Sequence, residues 1–451
     1  MAEHDELSGR LSHTTRRQFL QTAGALGVGY FTCFGGRVRG SDSPNERIRM
    51  ASIGIGGRGG SNTNDAAQAG ELVAVCDTDR GRLEGAGQRF PHAQRFSDFR
   101  QMFDEMGERI DAVLVNTPDH THAAPALMAM RMGKHCFCEK PLGRTVYETR
   151  LMGQVAREQG VATLMGNQHT AADGLRRAAA LLRSGVLGSV TEVHVWSNRP
   201  GRFWTQGNPR PAPQPVPPGL DWELWLGPAP ERPYAPGYHP GGWRGWWDFG
   251  TGALGDMACH TMNMPFAGLN LRDPISIQAE SSGHNRDSFP EWSIITYQFP
   301  ANALRGPLRM IWYDGGKRCP PELLDGQTPS ASGSLIIGDQ GKLYAPGDNG
   351  GDWHLMGGAR DVEVEFESSP GHFAEWIRAI RGGPAPMSNF PDYAAPLSET
   401  GVLGNLALWM ANRPGEGPLI QWDAENLQVS NLEGLQTLIK PPYRDGYLLD
   451  V

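Results

Sequence analysis

Arg47-Ile-Arg-Met-Ala-Ser-Ile53 runs directly into Gly54-Ile55-Gly56-Gly57-Arg58-Gly59-Gly60, and a helix-like stretch through Ala67 follows. The order is a short buried strand, a glycine turn and a helix start. In that order each glycine has a separate use. Gly54 permits the tight turn, Gly56 lets the backbone approach a pyrophosphate, and Gly59 allows close packing of strand on helix. The N–H groups of the helix start, at Gly57 and Arg58, are then free to meet the phosphates.

A glycine pattern alone is weak evidence, so the next strand matters. Glu71-Leu-Val-Ala-Val-Cys76 ends in Asp77, eighteen residues after Gly59, where a carboxylate accepts hydrogen bonds from the adenosine ribose hydroxyls. A carboxylate there repels a 2'-phosphate, and Arg80 lies only three residues on. NAD is therefore expected, with NADP the less favoured cofactor.

Asp111-Ala-Val-Leu-Val115 reads as a further strand that delivers Asn116-Thr117-Pro118-Asp119-His120-Thr121-His122 at its carboxyl end, the end of an open parallel sheet where ligands bind. A helix from Ala123 to Met132 leads to the strand Lys134–Cys138, which ends in Glu139-Lys140-Pro141. Strands and helices alternating in this way make a doubly wound parallel sheet. From Gly166 the pattern changes. A helix over 175–184 and a strand over 190–195 precede a Pro- and Trp-rich stretch from Asn198 to Phe249. Strands are expected at 275–279, 292–299, 308–312 and 333–337, and helices at 372–380 and 397–411. The fold class expected is α/β: an N-terminal Rossmann domain over 46–165, then a C-terminal α/β domain over 166–451 built on a large, mostly antiparallel open sheet.

At 451 residues the chain exceeds the size at which one core keeps growing, which agrees with two domains. A charge of −8, with no long Lys/Arg block after the first forty residues, leaves no electrostatic footprint for nucleic acid. The six cysteines form neither a C-x-x-C pair nor a zinc spacing, and Cys136 and Cys138, on one face of a strand, read as buried thiols. His120, His122 and His169 are scattered without a matched carboxylate, so no metal is expected. Residues 1–40 carry Thr15-Arg16-Arg17-Gln18-Phe19-Leu20 and then a weakly apolar run from Thr22 to Phe34, too short and glycine-rich to span a membrane. They read as a twin-arginine signal, which implies the export machinery as a partner and a periplasmic or otherwise exported protein, membrane-tethered if uncleaved. No clean cleavage site follows, and Cys33 lacks a lipobox. That route carries folded proteins to where no dinucleotide pool exists, so the cofactor is expected to be held tightly and recycled on the protein.

Taken together, GIGGRG, VNTPDHTHA, CEKPLGRT and GTGALGDMACH resemble the glucose-fructose oxidoreductase, inositol dehydrogenase and rhizopine-catabolism family (Gfo/Idh/MocA) from about residue 46 to the end. The resemblance implies that Lys140 lies beside the nicotinamide and the reacting carbon. It also implies that Asp256 and His260 come from the second domain to complete the site, that Glu139 sits near the ribose or nicotinamide, and that Asn116, Thr117, Pro118 and His122 lie against the dinucleotide. Hydride leaves a carbinol carbon only as its hydroxyl proton is removed, and imidazole supplies a base near neutral pKa. His260 is thus expected as the acid/base with Lys140 as its partner, the reverse assignment remaining open. Asp256 and His260, four residues apart, share a helix face. Many relatives carry Asp or Asn shortly after the histidine; here Asn263 stands there. The family's large sheet often pairs with another copy, so a homo-oligomer is possible.

Seven of the 13 tryptophans fall between Trp196 and Trp247. Flat indole faces stack on sugar rings, which points to a carbohydrate or polyol substrate. Arg202, Tyr238, His239, Arg244, Trp246 and Trp247 are the candidate substrate contacts. Two other readings stay open: glycoside cleavage through transient oxidation and elimination, and a non-catalytic nucleotide sensor or scaffold.

Overall fold

Runs of apolar residues with no polar alternation mark strands covered on both faces, and the first sheet is built from them. The computed structural model describes residues 47–199, 204 and 206–449. The proposed signal segment and Arg202 lie outside those residues. Strands β1 (Arg49–Ile53), β2 (Glu71–Cys76), β3 (Gln94–Phe96), β4 (Ala112–Val115), β5 (His135–Cys138) and β6 (Thr163–Met165) pair in the order β3-β2-β1-β4-β5-β6. Every pair is parallel. This is the doubly wound Rossmann arrangement.

The helices between these strands are α1 (Arg58–Ala69), α2 (Arg80–Arg89), α3 (Phe99–Met106), α4 (Ala123–Arg131) and α5 (Val146–Gln159). Local chemistry sets their ends. Asp79 caps α2 by accepting from the Arg82 amide, and Thr145 and Glu148 form a reciprocal capping box on α5. The helices α6 (Asp173–Arg183), α7 (Trp222–Leu226), α8 (Gly252–Thr261) and α9 (Asn263–Leu269) follow.

The second sheet has ten strands. Its spine is β7 (Val190–Ser197), β8 (Ser276–Ser282), β9 (Ser293–Phe299), β10 (Leu308–Asp314), β11 (Ser332–Gly338) and β12 (Gly341–Pro346). Smaller strands, β13 (His354–Met356), β14 (Pro414–Glu416), β15 (Ile420–Asp423) and β16 (Gln428–Val429), extend its edges. Only β7 with β10 is parallel; the other pairings are antiparallel. One face packs Ile277, Ile295, Tyr297, Met310 and Trp312 against α8 and the long α11 (Ala395–Met410), in a core continuous with the first sheet. The other face clusters Trp196, Ile311, Tyr313, Leu335 and Tyr344 under a loop that contributes Cys319 and Leu324.

Two later segments return to the first sheet. Helix α10 (His372–Ile380) places Trp376, fully buried, on the face formed by Met50, Leu114, Phe137 and Leu164. Beneath it Arg176 and Glu375, both buried, are joined at 2.5 Å. After α12 (Gln436–Ile439) the chain runs back toward α3 and α5. All five cysteines among the described residues are buried and unpaired.

The Trp-rich stretch makes a small core of its own. Trp222 stacks on Trp225 with ring centres 4.8 Å apart, and Tyr238, Trp243, Trp246 and Phe249 complete it. These rings are spent largely on one another. No helix among the described residues is long and apolar enough to cross a membrane.

Candidate active site

The glycine turn is shaped by what it must approach. Gly54 has φ +79°, and its amide donates to the Cys76 carbonyl at 2.8 Å, which seats the turn on β2. A methyl group on Gly59 would stand 2.1 Å from the Gly54 carbonyl oxygen, so strand and helix meet here with no room for a side chain. Gly57, before α1, opens on space that no protein atom fills. At the end of β2, Asp77 accepts the Ile55 amide at 2.9 Å and the Asp79 amide at 3.0 Å, which fixes its carboxylate at the rim. The cation beside it is Arg82 at 3.6 Å, not Arg80. Arg80 opens α2 and gives its amide to Gly219, whereas Arg82 lies nearer the groove and leans over Gly56.

Under the turn runs a buried polar chain. Asn62 donates to Asn116 at 2.7 Å and to Glu139 at 2.8 Å; Asn116 donates to Ser52 at 3.2 Å; Arg58 stands 3.5 Å from Glu139. The Thr117 hydroxyl is buried with no protein partner. His122 sets its two ring nitrogens against the Pro141 and Thr117 carbonyls at 2.7 and 2.8 Å, stapling the β4 exit to the Lys140 loop. His120 sits between the Phe249 and Trp225 carbonyls, and burial pushes its pKa down to about 3. These contacts are structural. Among the described residues no three His, Cys, Asp or Glu side chains group as a metal-binding set.

The two sheets meet across one cleft of about 740 Å³. From the first comes Lys140, whose ammonium donates to Asp256 Oδ1 at 2.5 Å and to the Asp256 carbonyl at 2.8 Å. Trp204 donates to Asp256 Oδ2 at 2.7 Å, and Arg244 stands 3.4 Å from Oδ1. Burial alone would raise the Asp256 carboxyl, but the Lys140 and Arg244 charges and the hydrogen bonds from Lys140 and Trp204 outweigh it, leaving the carboxyl well below its usual range. One turn along α8, His260 is half-buried, its Nδ1 enclosed without a hydrogen-bond partner. Desolvation first, and then the Lys140 charge, hold its pKa well below the ordinary histidine value, so the ring is neutral. His169 faces it edge-on with ring centres 6.1 Å apart. Asp119, buried and accepting from Thr251 at 2.6 Å, is pushed up by burial.

The cleft collects every residue expected at the dinucleotide: Gly54, Gly56, Gly57, Arg58, Gly59, Asp77, Asn116, Thr117, Pro118, His122, Glu139 and Lys140. It also takes in Asp256, His260, His239 and Arg244. Tyr238, Trp246 and Trp247 are placed elsewhere. Tyr238 and Trp246 are consumed by the aromatic core of their own segment, and Trp247 stacks on Phe289. Trp225 and Trp243 line the cleft instead, the latter under the Arg244 guanidinium at 4.1 Å. Asn263 is fully buried, donating to Thr170 and accepting from Tyr393, away from the cleft. Sequence reading missed Phe99, Arg82, Asn349 and Tyr447, which reach the cleft from loops or by tertiary packing.

Residues 48–167 match the oxidoreductase family's NAD-binding Rossmann fold and residues 173–347 match its C-terminal alpha/beta domain. The chain belongs to the Gfo/Idh/MocA oxidoreductase family. A glycosyl hydrolase family 109 protein of Shewanella pealeana is 29% identical over 201 residues, covering 39% of this chain and 44% of that relative. The match thus spans less than half the length of that relative. Two solved structures share the fold. The WlbA dehydrogenase of Bordetella pertussis, in complex with NADH and UDP-GlcNAcA, has a TM-score of 0.57 at 18% identity, covering 84% of this chain and 99% of that one. The aldose-aldose oxidoreductase of Caulobacter crescentus, complexed with glycerol, has a TM-score of 0.53 at 17% identity, covering 83% and 99%. The unfilled space at Gly57 and the orphaned Thr117 hydroxyl fit the dinucleotide that this family's Rossmann domain binds.

Proposed function

We propose that this protein is an NAD-dependent oxidoreductase that transfers hydride between a hydroxyl-bearing carbon of a sugar or polyol and a nicotinamide held in the cleft. Bound NAD supplies the hydride acceptor. The observation that carries the reading is the meeting of Lys140 with Asp256, one turn from a neutral His260, across that cleft. His260 takes the hydroxyl proton as hydride departs, and Lys140, its ammonium aimed by two oxygens of Asp256, holds the substrate oxygen. Asp256 orients rather than reacts. Trp225 and Trp243 line the cleft beside these groups, and the sugar-nucleotide complex of the WlbA dehydrogenase supports a carbohydrate.

The glycosyl hydrolase family 109 relatives favour a second reading, in which the sugar is oxidised transiently, the glycosidic bond is eliminated, water adds, and the sugar takes its hydride back so that no reduced nicotinamide accumulates. A panel of sugars and aryl glycosides, followed at once by nicotinamide fluorescence and by product release, separates the two. Accumulating reduced nicotinamide supports net oxidation; release of the aglycone without it supports redox-neutral cleavage. Neither signal with any member of the panel would count against both.

Arg16-Arg17 followed by Phe19-Leu20 supports export through the twin-arginine route. Changing both arginines to lysine should leave the protein in the cytoplasmic fraction of its host. Equal export of the two forms would refute that assignment.

A further inference from the structure

Residues 440–449 cross back over the first sheet, and nothing in the roles of Lys140, Asp256 and His260 uses them. Lys440 sits over the Tyr147 ring at 4.3 Å, and the Tyr443 hydroxyl donates to Glu148 at 3.2 Å, so the segment is anchored first on α5. It is anchored next on the Trp-rich stretch. Arg444 donates to the Gly227 carbonyl at 3.2 Å and bonds the Glu223 carboxylate on α7. Its last anchor is α3, where the Tyr447 ring lies 6.2 Å from Phe99 and 4.5 Å under the Arg100 guanidinium.

Tyr447 is 6% exposed and lines the cleft together with Asp77, Arg82 and Phe99. Asp77 marks this as the adenosine end. The Trp-rich stretch reaches the same end by backbone pairing: Arg80 donates to Gly219 and Asp221 to Thr78, each at 2.9 Å. Three segments distant in sequence, the β2 exit, residues 219–227 and the strap Tyr443–Leu449, thus frame the adenosine end, with residues 219–227 bonded to each of the other two.

We propose that the strap is part of the dinucleotide site, with Tyr447 forming its adenosine-side wall and Arg444 the latch that locks the strap to the Trp-rich stretch. This rests on the cleft's being the NAD site. Nucleotide leaves only when the latch opens, because the wall and the bonds across it must part together. The chain thereby retains its cofactor through a device outside the glycine turn.

The test uses the full chain and a fluorescent NAD analogue with an ethenoadenine base, loaded and then chased with excess NAD. Arg444→Gln should speed release about fivefold, since it removes an exposed ion pair to Glu223 together with the bond to the Gly227 carbonyl. Glu223→Gln should speed it less, because Arg444 keeps its bond to Gly227, and the double variant should be no faster than Arg444→Gln alone. Tyr447→Ala should also release faster. Arg444 is only partly buried, so its variant reports even if the Tyr447 change unfolds the protein. Release from Arg444→Gln and Glu223→Gln within about twofold of the unaltered protein would overturn the latch. An unaltered protein that takes up no analogue overturns the nucleotide site itself, a separate result.

Discussion

Lys140→Ala should lose about a thousandfold in turnover while the folded protein keeps its nucleotide. The first half follows from position. The ammonium is the group that the first sheet sends across the cleft to Asp256, and alanine leaves the substrate oxygen without its cation. The second half follows from the side-chain contacts: the glycine turn, Asp77 and the Asn62 chain do not bond to the Lys140 ammonium, which is held by Asp256. Nucleotide content by mass spectrometry, beside turnover on whichever sugar the panel returns, reads both. A nucleotide sensor would show little change from the same variant. The pH profile of the unaltered enzyme adds a signed check on His260. An imidazole held below its usual pKa stays a competent base beneath pH 6.5, so kcat/KM should remain on its plateau there and fall only at lower pH. An acid limb at or above the ordinary histidine value would place the proton transfer on another group.

The largest effect on stability is expected far from the cleft. Glu375→Ala should cost about 3–5 kcal/mol, because it strands a guanidinium inside the protein. Arg176 is 6% exposed, donates from Nη2 to Glu375 at 2.5 Å, and turns its remaining donors to the Thr170 and Glu367 carbonyls at 3.0 Å. The same carboxylate also accepts the Met387 amide at 3.2 Å. Arg176→Met with Glu375→Leu removes both charges and should recover most of the loss, which denaturant titration of the three proteins can measure. A single Glu375→Ala variant within about 1 kcal/mol of the parent would mean that water reaches the pair.

How much of this was legible in the sequence depended on what set each position. β1, β2, β4 and β5 were readable because continuous apolar runs end in a glycine turn or a polar loop. β3 and β6 were not, since three residues carry no period. Helix α8 was visible only as the spacing of Asp256 and His260; it is buried on nearly every side, so it shows no polar face. The glycine and Asp77 part of the cleft is local chemistry and was readable for that reason. Arg82 rather than Arg80 needed the helix phase, and Trp225 and Trp243 rather than Trp246 and Trp247 needed the packing of an irregular segment. Phe99 and Tyr447 meet only because the chain's last turns come home to α3.

The thiols have a consequence for where such a chain can work. Burial pushes Cys76, Cys136 and Cys138 far up and Cys259 up to about 11, so almost none of the reactive thiolate forms at neutral pH. With no bridge to make or break among the described residues, the covalent framework is the same in a glutathione-rich interior as in an oxidising exterior. Folding of the described residues leaves no thiol pairing for an isomerase to correct.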